Sequence, residues 1–557
     1  MPHWKKVLFV LFPRLKQVQT VVTVSKSAYG WVKNRKNRKK MRFPAKLVIA
    51  SACAFVFIIL VGFFMFPKMI KGKIKGMVNL KPGQEIREMF LKVPFPLSFR
   101  VFIFSVENPE EILAGGVPRV REIGPFCYQE WKTKIDVVDI EGDDTISYNP
   151  VDTFLPVYEP DCTPFDTEVT VPHPMILGMV NTVARQKPGA LSLVGKAINS
   201  IWSNPGTPFV TVNVNDLLFD GLVIRCGVQD FAGKAICAQL KGEESLVHVN
   251  DNDLKFSLMG PKNATPGKRI RAYRGTRDFH HVGKIVTYDG KLRQEVWNHS
   301  RCDVIEGTDG TIFPPMLKKE AGLASFSPDI CRSLVAKYKS KEKYDGIPVK
   351  HYTADLGDAS RNQDEKCFCT TPDTCLKKGL MDLFKCAGVP LYASAPHFYD
   401  CHPSYLKGVK GLHPDAEKHA IKILFETLTG SPVYAKKRLQ FNMPLEPNQK
   451  IDMFKNITPT VLPLFWVEEG VELNSTYTKP LKSLFAMKKI VAVVKYLILF
   501  GSMTGVAAGV YLFFKGGDAV NVQKVEPRQN GGKSAVSTVF NGDGHVNGST
   551  NQGYVQD

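Results

Sequence analysis

The chain has 557 residues, and its 73 Lys and Arg against 53 Asp and Glu give a formal net charge of +20. Thirteen of these basic residues lie within residues 1–46, where no acidic residue occurs. Between that segment and residue 515, 56 basic residues face 49 acidic ones. The rest of the chain therefore carries too little net positive charge to attract a polyanion, which excludes a nucleic-acid partner. The excess positive charge of residues 1–46 instead indicates the membrane topology.

An uncharged apolar run, LVIASACAFVFIILVGFFMF, occupies residues 47–66. At about 1.5 Å of helical rise per residue it matches the ~30 Å hydrocarbon core of a bilayer, so it predicts a transmembrane helix. The basic flank before it places residues 1–46 in the cytosol. Because no small-residue cleavage site follows, we expect this helix to remain as an anchor rather than to be removed as a signal peptide.

A second apolar run at residues 490–514 is interrupted only by Lys495, whose ammonium is expected to reach the membrane interface. Two spans place both termini in the cytosol and residues 67–489 outside, as one large ectodomain. Glycines at 501, 505 and 509 would let another helix approach, either the first span or a helix of a partner receptor. The tail at 515–557 is rich in Gly, Asn and Ser and is predicted to be disordered.

Residues 1–40 leave two interpretations open. A short apolar patch and the basic run at 33–40 would hold a cytosolic segment against anionic lipid. Alternatively, these residues are an upstream extension of the gene model, because the sequence from Met41 would itself suffice as a start before the first span.

Eleven of the twelve cysteines lie between Cys127 and Cys401, inside the predicted ectodomain. This distribution suits an oxidising compartment, with about five disulfides and one odd thiol. The sequence contains five Asn-x-Ser/Thr sequons for N-glycosylation. One of them, at Asn547, lies in the predicted cytosolic tail and should stay unmodified. The other four Asn-x-Ser/Thr sequons lie in the ectodomain and are predicted to be glycosylated: Asn263, Asn298, Asn456 and Asn474.

The ectodomain sequence predicts many short strands. Residues 284–297 consist of two β-rich runs about Asp289-Gly290, which is typical of a hairpin. Residues 437–443 alternate Leu439, Phe441 and Met443 with polar residues, as a half-buried strand does.

Helical periodicity is concentrated between residues 174 and 205, with a short helix at 175–184 and a second one after Pro188-Gly189. This pair is either a cap on a strand-rich domain or ordinary packing. The second helix has one apolar stripe formed by Leu191, Val194, Ile198 and Ile201.

The sequence offers little for catalysis. It lacks His-Glu-x-x-His, Gly-x-Ser-x-Gly and Cys-x-x-Cys, and the cysteines at 302–386 lack the paired spacing of a zinc site, so disulfides are preferred there. Gly532-Lys533-Ser534 resembles a phosphate loop, but Pro527 stands where its first glycine is required. We therefore predict a binding protein with no enzyme activity, metal or cofactor.

Five short motifs of the sequence resemble those of the class B scavenger receptor family, also called the fatty-acid translocase family. The resemblance covers residues 46–514 in consistent order, with a span at each end. The motifs are CDVIEGTDGTIFPP (302–315), FSPDICRS (326–333), GIPV (346–349), CFC (367–369) and AKKRLQFN (435–442).

Within that family, the likeness is closer to the insect sensory neuron membrane proteins, type 1 before type 2. Cys226 with Cys237 also suggests this subfamily. The other residues that carry this likeness are YQEWK (128–132), LGM (177–179), YTADLG (352–357), PHF (396–398) and FWVEEG (465–470).

The resemblance implies an α+β ectodomain with an antiparallel β-barrel core, a helical cap and a lipid-conducting cavity. No pairing is assigned to Cys127, Cys162 or Cys401. The disulfides implied are Cys302–Cys367, Cys331–Cys386 and Cys369–Cys375, with Cys226–Cys237 as a fourth.

In the family's terms Arg185 and Lys187 lie near the place where a ligand's polar head would bind. The expected function is that of an olfactory co-receptor that binds fatty-acid-derived pheromones and passes them through a tunnel to a membrane-embedded odorant receptor. The alternative is a scavenger or lipid-uptake receptor for fatty acids or lipoproteins. The expected location is the plasma membrane of a sensory neuron dendrite.

Overall fold

The computed structural model describes residues 42–298, 300–371 and 373–517, and the chain divides into two compact units. One unit comprises Met1–Gly62 together with Val494–Asp557, and the other comprises Phe63–Val493. The predictions made for residues 1–41 and 518–557, including the unmodified Asn547 and the Gly532-Lys533-Ser534 segment, lie outside the described residues.

Eleven α-helices occur in the described residues. They are α1 (Phe43–Ile58), α2 (Phe66–Met77), α3 (Glu85–Leu91), α4 (Pro109–Leu113), α5 (Pro174–Gln186), α6 (Leu191–Ile201), α7 (Phe231–Leu240), α8 (Phe384–Ala387), α9 (Pro403–Lys407), α10 (Ala416–His419) and α11 (Ser475–Gly517).

Two helical stretches, Phe43–Met77 and Ser475–Lys515, are long and apolar enough to cross a membrane. The first consists of α1, a π-helical segment (Ile59–Met65) and α2. Both predicted spans, at 47–66 and 490–514, lie inside these stretches. The second helix continues past the predicted span end, to Gly517.

Within the first unit, α1 packs against α11 at two glycines. A Cβ placed on Gly509 would lie 2.6 Å from Val48 Cγ2, and one on Gly505 would lie 2.3 Å from Ser51 Oγ. A Cβ on Gly501 would meet nothing within 4 Å. The first span therefore supplies the helix that Gly505 and Gly509 admit.

Eighteen strands occur in the described residues. They are β1 (Leu97–Val106), β2 (Val120–Ile140), β3 (Thr145–Pro156), β4 (Glu168–Pro172), β5 (Phe209–Asn213), β6 (Leu222–Arg225), β7 (Val247–His248), β8 (Asp253–Phe256), β9 (Ile270–Tyr273), β10 (Ile285–Tyr288), β11 (Leu323–Ser327), β12 (Arg332–Tyr344), β13 (Ile347–Thr353), β14 (Met381–Asp382), β15 (Tyr392–Ser394), β16 (Lys422–Glu426), β17 (Ser431–Leu445) and β18 (Thr460–Glu472).

Thirteen of these strands form one antiparallel sheet in the second unit. Its main path runs β10-β9-β3-β2-β1-β18-β17-β16-β13-β12-β11, and β15 pairs with both β14 and β17. The expected α+β fold with a large antiparallel sheet is confirmed. A barrel closed by strand pairing is not formed, because no ladder among the described strands joins β10 to β11.

A connecting segment, residues 306–315, bridges the two end strands instead, and we call it the crossing segment. Ile285 of β10 donates its N–H to the carbonyl of Gly307 at 2.8 Å, and Phe326 of β11 donates its N–H to the carbonyl of Thr308 at 2.8 Å. One short stretch of backbone thus satisfies groups on both ends of the open sheet.

The crossing segment then passes over one face of the sheet, which we call the inner face. The Tyr148 hydroxyl on β3 donates a hydrogen bond to Asp309 at 2.8 Å. Further along, the Phe313 ring lies 5.6 Å from that of Phe425 on β16. The segment therefore reaches from one side of the sheet to the other across this face.

The strand predicted at 437–443 lies within β17, and Met443 is buried as predicted, but at positions 439–442 the burial is the reverse of the prediction. Gln440 and Asn442 are 0% exposed, whereas Leu439 and Phe441 remain partly exposed on the inner face. The buried polar side chains are paired: Gln440 accepts the N–H of His397 at 2.6 Å, and Asn442 donates to the Tyr392 carbonyl at 3.0 Å. The outer side of β17 is covered by other chain segments, which a single-strand pattern does not reveal.

The predicted hairpin at 284–297 is confirmed in its first strand, β10, and at its turn. Asp289 and Gly290 both have positive φ, as the turn requires, and Tyr288 forms a bridge with Lys291. Beyond that bridge the second run is not a strand, because Arg293 forms only an isolated bridge with Val304 and residues 295–297 are bends.

The two helices predicted near 175–202 are present as α5 and α6, separated by a 3₁₀ turn (Pro188–Ala190). The predicted apolar stripe of α6 is buried in the hydrophobic core with at most 5% exposure at Leu191, Val194, Ile198 and Ile201.

Candidate functional site

Arg185, predicted to meet a ligand's polar head, lies in the last turn of α5. Its guanidinium donates hydrogen bonds to Asp382 at 2.8 Å and to the Tyr392 hydroxyl at 2.6 Å. It also lies 5.3 Å from the centre of the Phe384 ring. Its charge is balanced within the chain, so an anionic head would compete with Asp382 for it.

Lys187 is the C-cap residue of α5 and is exposed. Within the described part of the chain its ammonium has no hydrogen bond or ion pair. The two predicted residues therefore differ, since Arg185 is engaged and Lys187 is free to meet a ligand. Their role in ligand binding stays a prediction.

The cysteines form five disulfides. Cys127–Cys162 joins two residues to which no pairing was assigned from the sequence, with 5.7 Å between their Cα atoms. Cys53 and Cys401 are free, and burial raises the pKa of the Cys401 thiol to about 12. The other four bonds are those expected from the resemblance, Cys226–Cys237, Cys302–Cys367, Cys331–Cys386 and Cys369–Cys375.

Three of the four predicted glycosylation sites, Asn298, Asn456 and Asn474, are exposed. Asn263 is partly exposed, and its Oδ1 accepts the N–H of Phe154 at 2.9 Å. Glycosylation at all four sites stays a prediction.

Apolar side chains line part of the inner face. Leu439 on β17 lies directly opposite Val467 on β18, and Phe441 lies opposite Phe465, with their rings stacked 5.0 Å apart. Leu439, Phe441 and Val467 stay partly exposed although their strands lie in the middle of the sheet. Phe441 and Val467 also pack against the main hydrophobic cluster, so this part of the inner face is covered in part and accessible in part.

Charged side chains continue the same face further along the strands, with Lys132 of β2 at their centre. Its ammonium contacts Asp152 of β3 at 3.3 Å, Glu130 of β2 at 2.5 Å and Glu469 of β18 at 3.6 Å. Burial works to lower the pKa of Lys132, but the three carboxylates outweigh it and raise the pKa well above its usual range. Lys132 is therefore held in its charged form.

Two further lysines complete this arrangement. Lys437 lies opposite Glu469 in the β17–β18 ladder and contacts its carboxylate at 3.3 Å. Lys262 pairs with Asp329 at 2.8 Å, and its charge also helps to lower the pKa of Glu469. We call the following six residues the charged layer: Lys132, Asp152, Lys262, Asp329, Lys437 and Glu469.

Members of the charged layer are enclosed by protein and yet keep surface that solvent can reach. Burial is the largest single influence on the pKa of Lys262, although Asp329 outweighs it and the net pKa is raised. Even so, 45% of the Lys262 side chain and 41% of the Lys437 side chain remain exposed. These two lysines are therefore partly accessible rather than packed into the core.

Glu130 lies beside the charged layer and is only 3% exposed. Its Oε1 meets Lys132, but its Oε2 has no hydrogen-bond partner among the described residues. Burial, followed by the negative charge of Glu469, raises the pKa of Glu130 to about 7. An unpaired buried oxygen costs free energy, so Glu130 is a group poised to accept or donate one more hydrogen bond.

The crossing segment contributes a second buried ion pair. Lys134 of β2 contacts Asp309 at 3.2 Å and donates a hydrogen bond to Thr311 at 3.1 Å. The Lys134 ammonium also lies 4.1 Å from the centre of the Phe90 ring. These contacts fix the segment against the sheet.

A polar network occupies the other face of the sheet. Glu122 accepts hydrogen bonds from His397 at 2.5 Å and from Trp466 at 2.6 Å. The His419 ring stacks on His397 at 4.3 Å, and burial lowers the pKa of His419 to about 4. The His397 and His419 rings are buried and His419 is neutral, so we interpret the network as structural.

A small cavity of about 10 Å³ lies among the disulfide-linked segments, lined by Arg332, Phe368, Cys369 and Met381 among others. In the part of the chain that the structure describes, no group of three or more His, Cys, Asp or Glu side chains is placed to hold a metal ion.

Sequence reasoning missed the charged layer and Glu130. A signal was present, because YQEWK places Glu130 two residues after Tyr128, and FWVEEG places Glu469 two residues after Val467. A charge at such a position faces the same side as its apolar neighbours two residues away.

Residues 49–513 match the model of the CD36 family. The chain belongs to the CD36 family. This is the class B scavenger receptor family predicted from the sequence, and its members are not enzymes, as the sequence also predicts.

This CD36-family chain is similar to several proteins named sensory neuron membrane protein 1. It is 40% identical to that of Ostrinia furnacalis over 507 residues, which cover 88% of this chain and 96% of the relative. It is 41% identical to that of Apis mellifera over 492 residues, covering 87% and 94%. It is 42% identical to that of Plutella xylostella over 480 residues, covering 85% and 91%.

Proposed function

We propose that this chain is an olfactory co-receptor in the plasma membrane of sensory neuron dendrites. It binds fatty-acid-derived pheromones and passes them through the interior of its ectodomain to a membrane-embedded odorant receptor. The observation that carries the proposal is the similarity, along nearly the whole chain, to proteins named for the membrane of sensory neurons.

The inner face supports the lipid-binding part of the proposal. Leu439, Phe441 and Val467 offer apolar surface that is not fully covered by the chain itself. Because each buried methylene contributes about 0.8 kcal/mol, a long alkyl chain would be held there in preference to water. Such binding and release need no catalytic residue.

The test is a recording from pheromone-sensing neurons that lack the endogenous protein, with and without expression of this chain. We expect responses to a long-chain acetate ester such as hexadecyl acetate to be restored by the chain. Unchanged responses would contradict the co-receptor role. If cells without any odorant receptor took up labelled palmitate only when they express the chain, a lipid-uptake receptor would be favoured instead.

The proposed topology has its own test. Epitope tags at both termini should bind antibody only after the cells are permeabilised, because two spans return the chain to the cytosol. Removal of N-glycans should increase the gel mobility of the protein, and replacement of Asn298, Asn456 or Asn474 by Gln should each remove one step of that shift. Tags that react on intact cells would overturn the topology.

A further inference from the structure

The charged layer has a composition unsuited to an ionic ligand. It contains three ammonium groups, on Lys132, Lys262 and Lys437, and three carboxylates that pair with them. These groups can donate and accept hydrogen bonds, but together they present no net charge. A ligand's carboxylate would lose its hydration at such a site without gaining an unbalanced cation in return.

The layer is also continuous with the apolar part of the inner face. Glu469 lies two residues from Val467 on β18, and Lys437 lies two residues from Leu439 on β17, so each charged side chain shares a face with an apolar one. An elongated lipid lying along these strands would place its alkyl chain on Leu439 and Val467 and its head beside Lys437 and Glu469.

Two buried polar atoms beside the charged layer lack a hydrogen-bond partner among the described residues. The Oε2 atom of Glu130 is buried and has no partner in the described part of the chain. The next inward-facing residue on the same strand, Tyr128, is 4% exposed, and its hydroxyl likewise has no partner among the described residues. Each atom could make one more hydrogen bond, which a neutral oxygen-bearing head can accept or donate.

We infer that the charged layer, with Glu130 beside it, is the subsite for the polar head of a long-chain lipid and favours uncharged heads, such as esters, aldehydes and alcohols, over carboxylates. This inference rests on the proposed function and names the ligand class. Neutral heads keep the three ion pairs intact, whereas a carboxylate must compete for a lysine that already has a partner.

The test compares two probes with sixteen-carbon chains, hexadecyl acetate and palmitate, on the full chain in lipid nanodiscs. We expect the ester to bind the wild type at least about tenfold more tightly than the acid. Asp329→Asn is the informative variant, because Asp329 is 52% exposed and its loss leaves Lys262 without its partner while threatening the fold least. In this variant palmitate should gain about tenfold in affinity, while the ester changes little.

Two further variants guard the interpretation. Lys262→Met combined with Asp329→Asn restores the charge balance, so the preference for the ester should return. Asp278→Asn removes a carboxylate that is 51% exposed and lies outside the layer, and it should leave both affinities unchanged.

The outcomes separate the two ideas. If the wild type binds neither probe, the proposed function is wrong, and so is this inference, because it rests on that function. If it binds both probes equally and Asp329→Asn leaves their ratio unchanged, the inference alone is overturned and the proposed function stands.

Discussion

The Lys134 ammonium lies 3.2 Å from the Asp309 carboxylate, and this contact ties the crossing segment to the inner face. Both side chains are almost fully buried, at 3% and 10% exposure. Burial acts to raise the pKa of Asp309, but Lys134 and the Thr311 hydroxyl outweigh it, so the net pKa is lowered.

Replacing Asp309 with Ala should therefore destabilise the protein by about 3–5 kcal/mol, because it leaves the buried Lys134 ammonium without its counter-charge. Thermal unfolding of the purified full chain measures the effect. The exposed Asp166→Ala is the control and should change stability by no more than about 0.5 kcal/mol. An unfolding temperature equal to that of the wild type for Asp309→Ala would show that the crossing segment is not held by this pair.

Glu130 should make stability depend on pH in an unusual direction. Its pKa is raised from 4.5 to about 7, so the folded state binds the proton more tightly than the unfolded state does. Its contribution is fully present below about pH 4.5 and is lost as pH rises through 7, by about 3 kcal/mol at most. Glu130→Gln stays neutral and should be more stable than the wild type at pH 8 but not at pH 4.5. Equal differences at the two pH values would count against the raised pKa.

The Cys127–Cys162 bond offers a prediction with a matched control. Cys127→Ser should cost about 2–5 kcal/mol, since the bond closes a loop between residues 35 apart. Cys401→Ser removes a cysteine that is free and should cost far less. Thermal unfolding without reductant compares the two, and peptide mapping should recover the 127–162 link. Equal unfolding temperatures for the two variants would refute the pairing.

The packing of the two spans can be tested by cross-linking. A Cβ on Gly505 would lie 3.1 Å from Ser51 Cβ, so Ser51→Cys with Gly505→Cys should form a disulfide on oxidation when Cys53 is replaced by Ser. Adding Gly509→Leu should abolish the cross-link, because that position is only 2.6 Å from Val48. Adding Gly501→Leu instead should leave it intact, since that side is open. Cross-linking that survives Gly509→Leu would contradict the packing.

Arg185 and Lys187 remain predicted contacts for an anionic head, and the structure separates their expected effects. Replacing both with Ala should weaken palmitate binding to the full chain by about tenfold. Because Arg185 is already paired with Asp382, Lys187→Ala alone should produce most of that loss. Unchanged affinity in the double variant would remove both residues from the site.

The elements with strong local signals could be predicted from the sequence. The apolar runs at 47–66 and 490–514, and the stripe from Leu191 to Ile201, each carry their own periodicity and length, and the structure contains the corresponding helices. Cys127–Cys162 could not be predicted, because a spacing of 35 residues says nothing about which chain segments meet. Gln440, fully buried on the outer side of β17, was missed for the same reason, since its cover comes from His397, 43 residues away.

The crossing segment bridges β10 and β11, and this affects aggregation where many copies of the protein lie close together in a membrane. A strand at the border of a sheet ordinarily exposes unpaired amides that can recruit another chain and start aggregation. Here the backbone of Gly307 and Thr308 already occupies groups on both border strands. Neighbouring copies in the membrane are therefore not expected to pair with each other through the edges of β10 and β11.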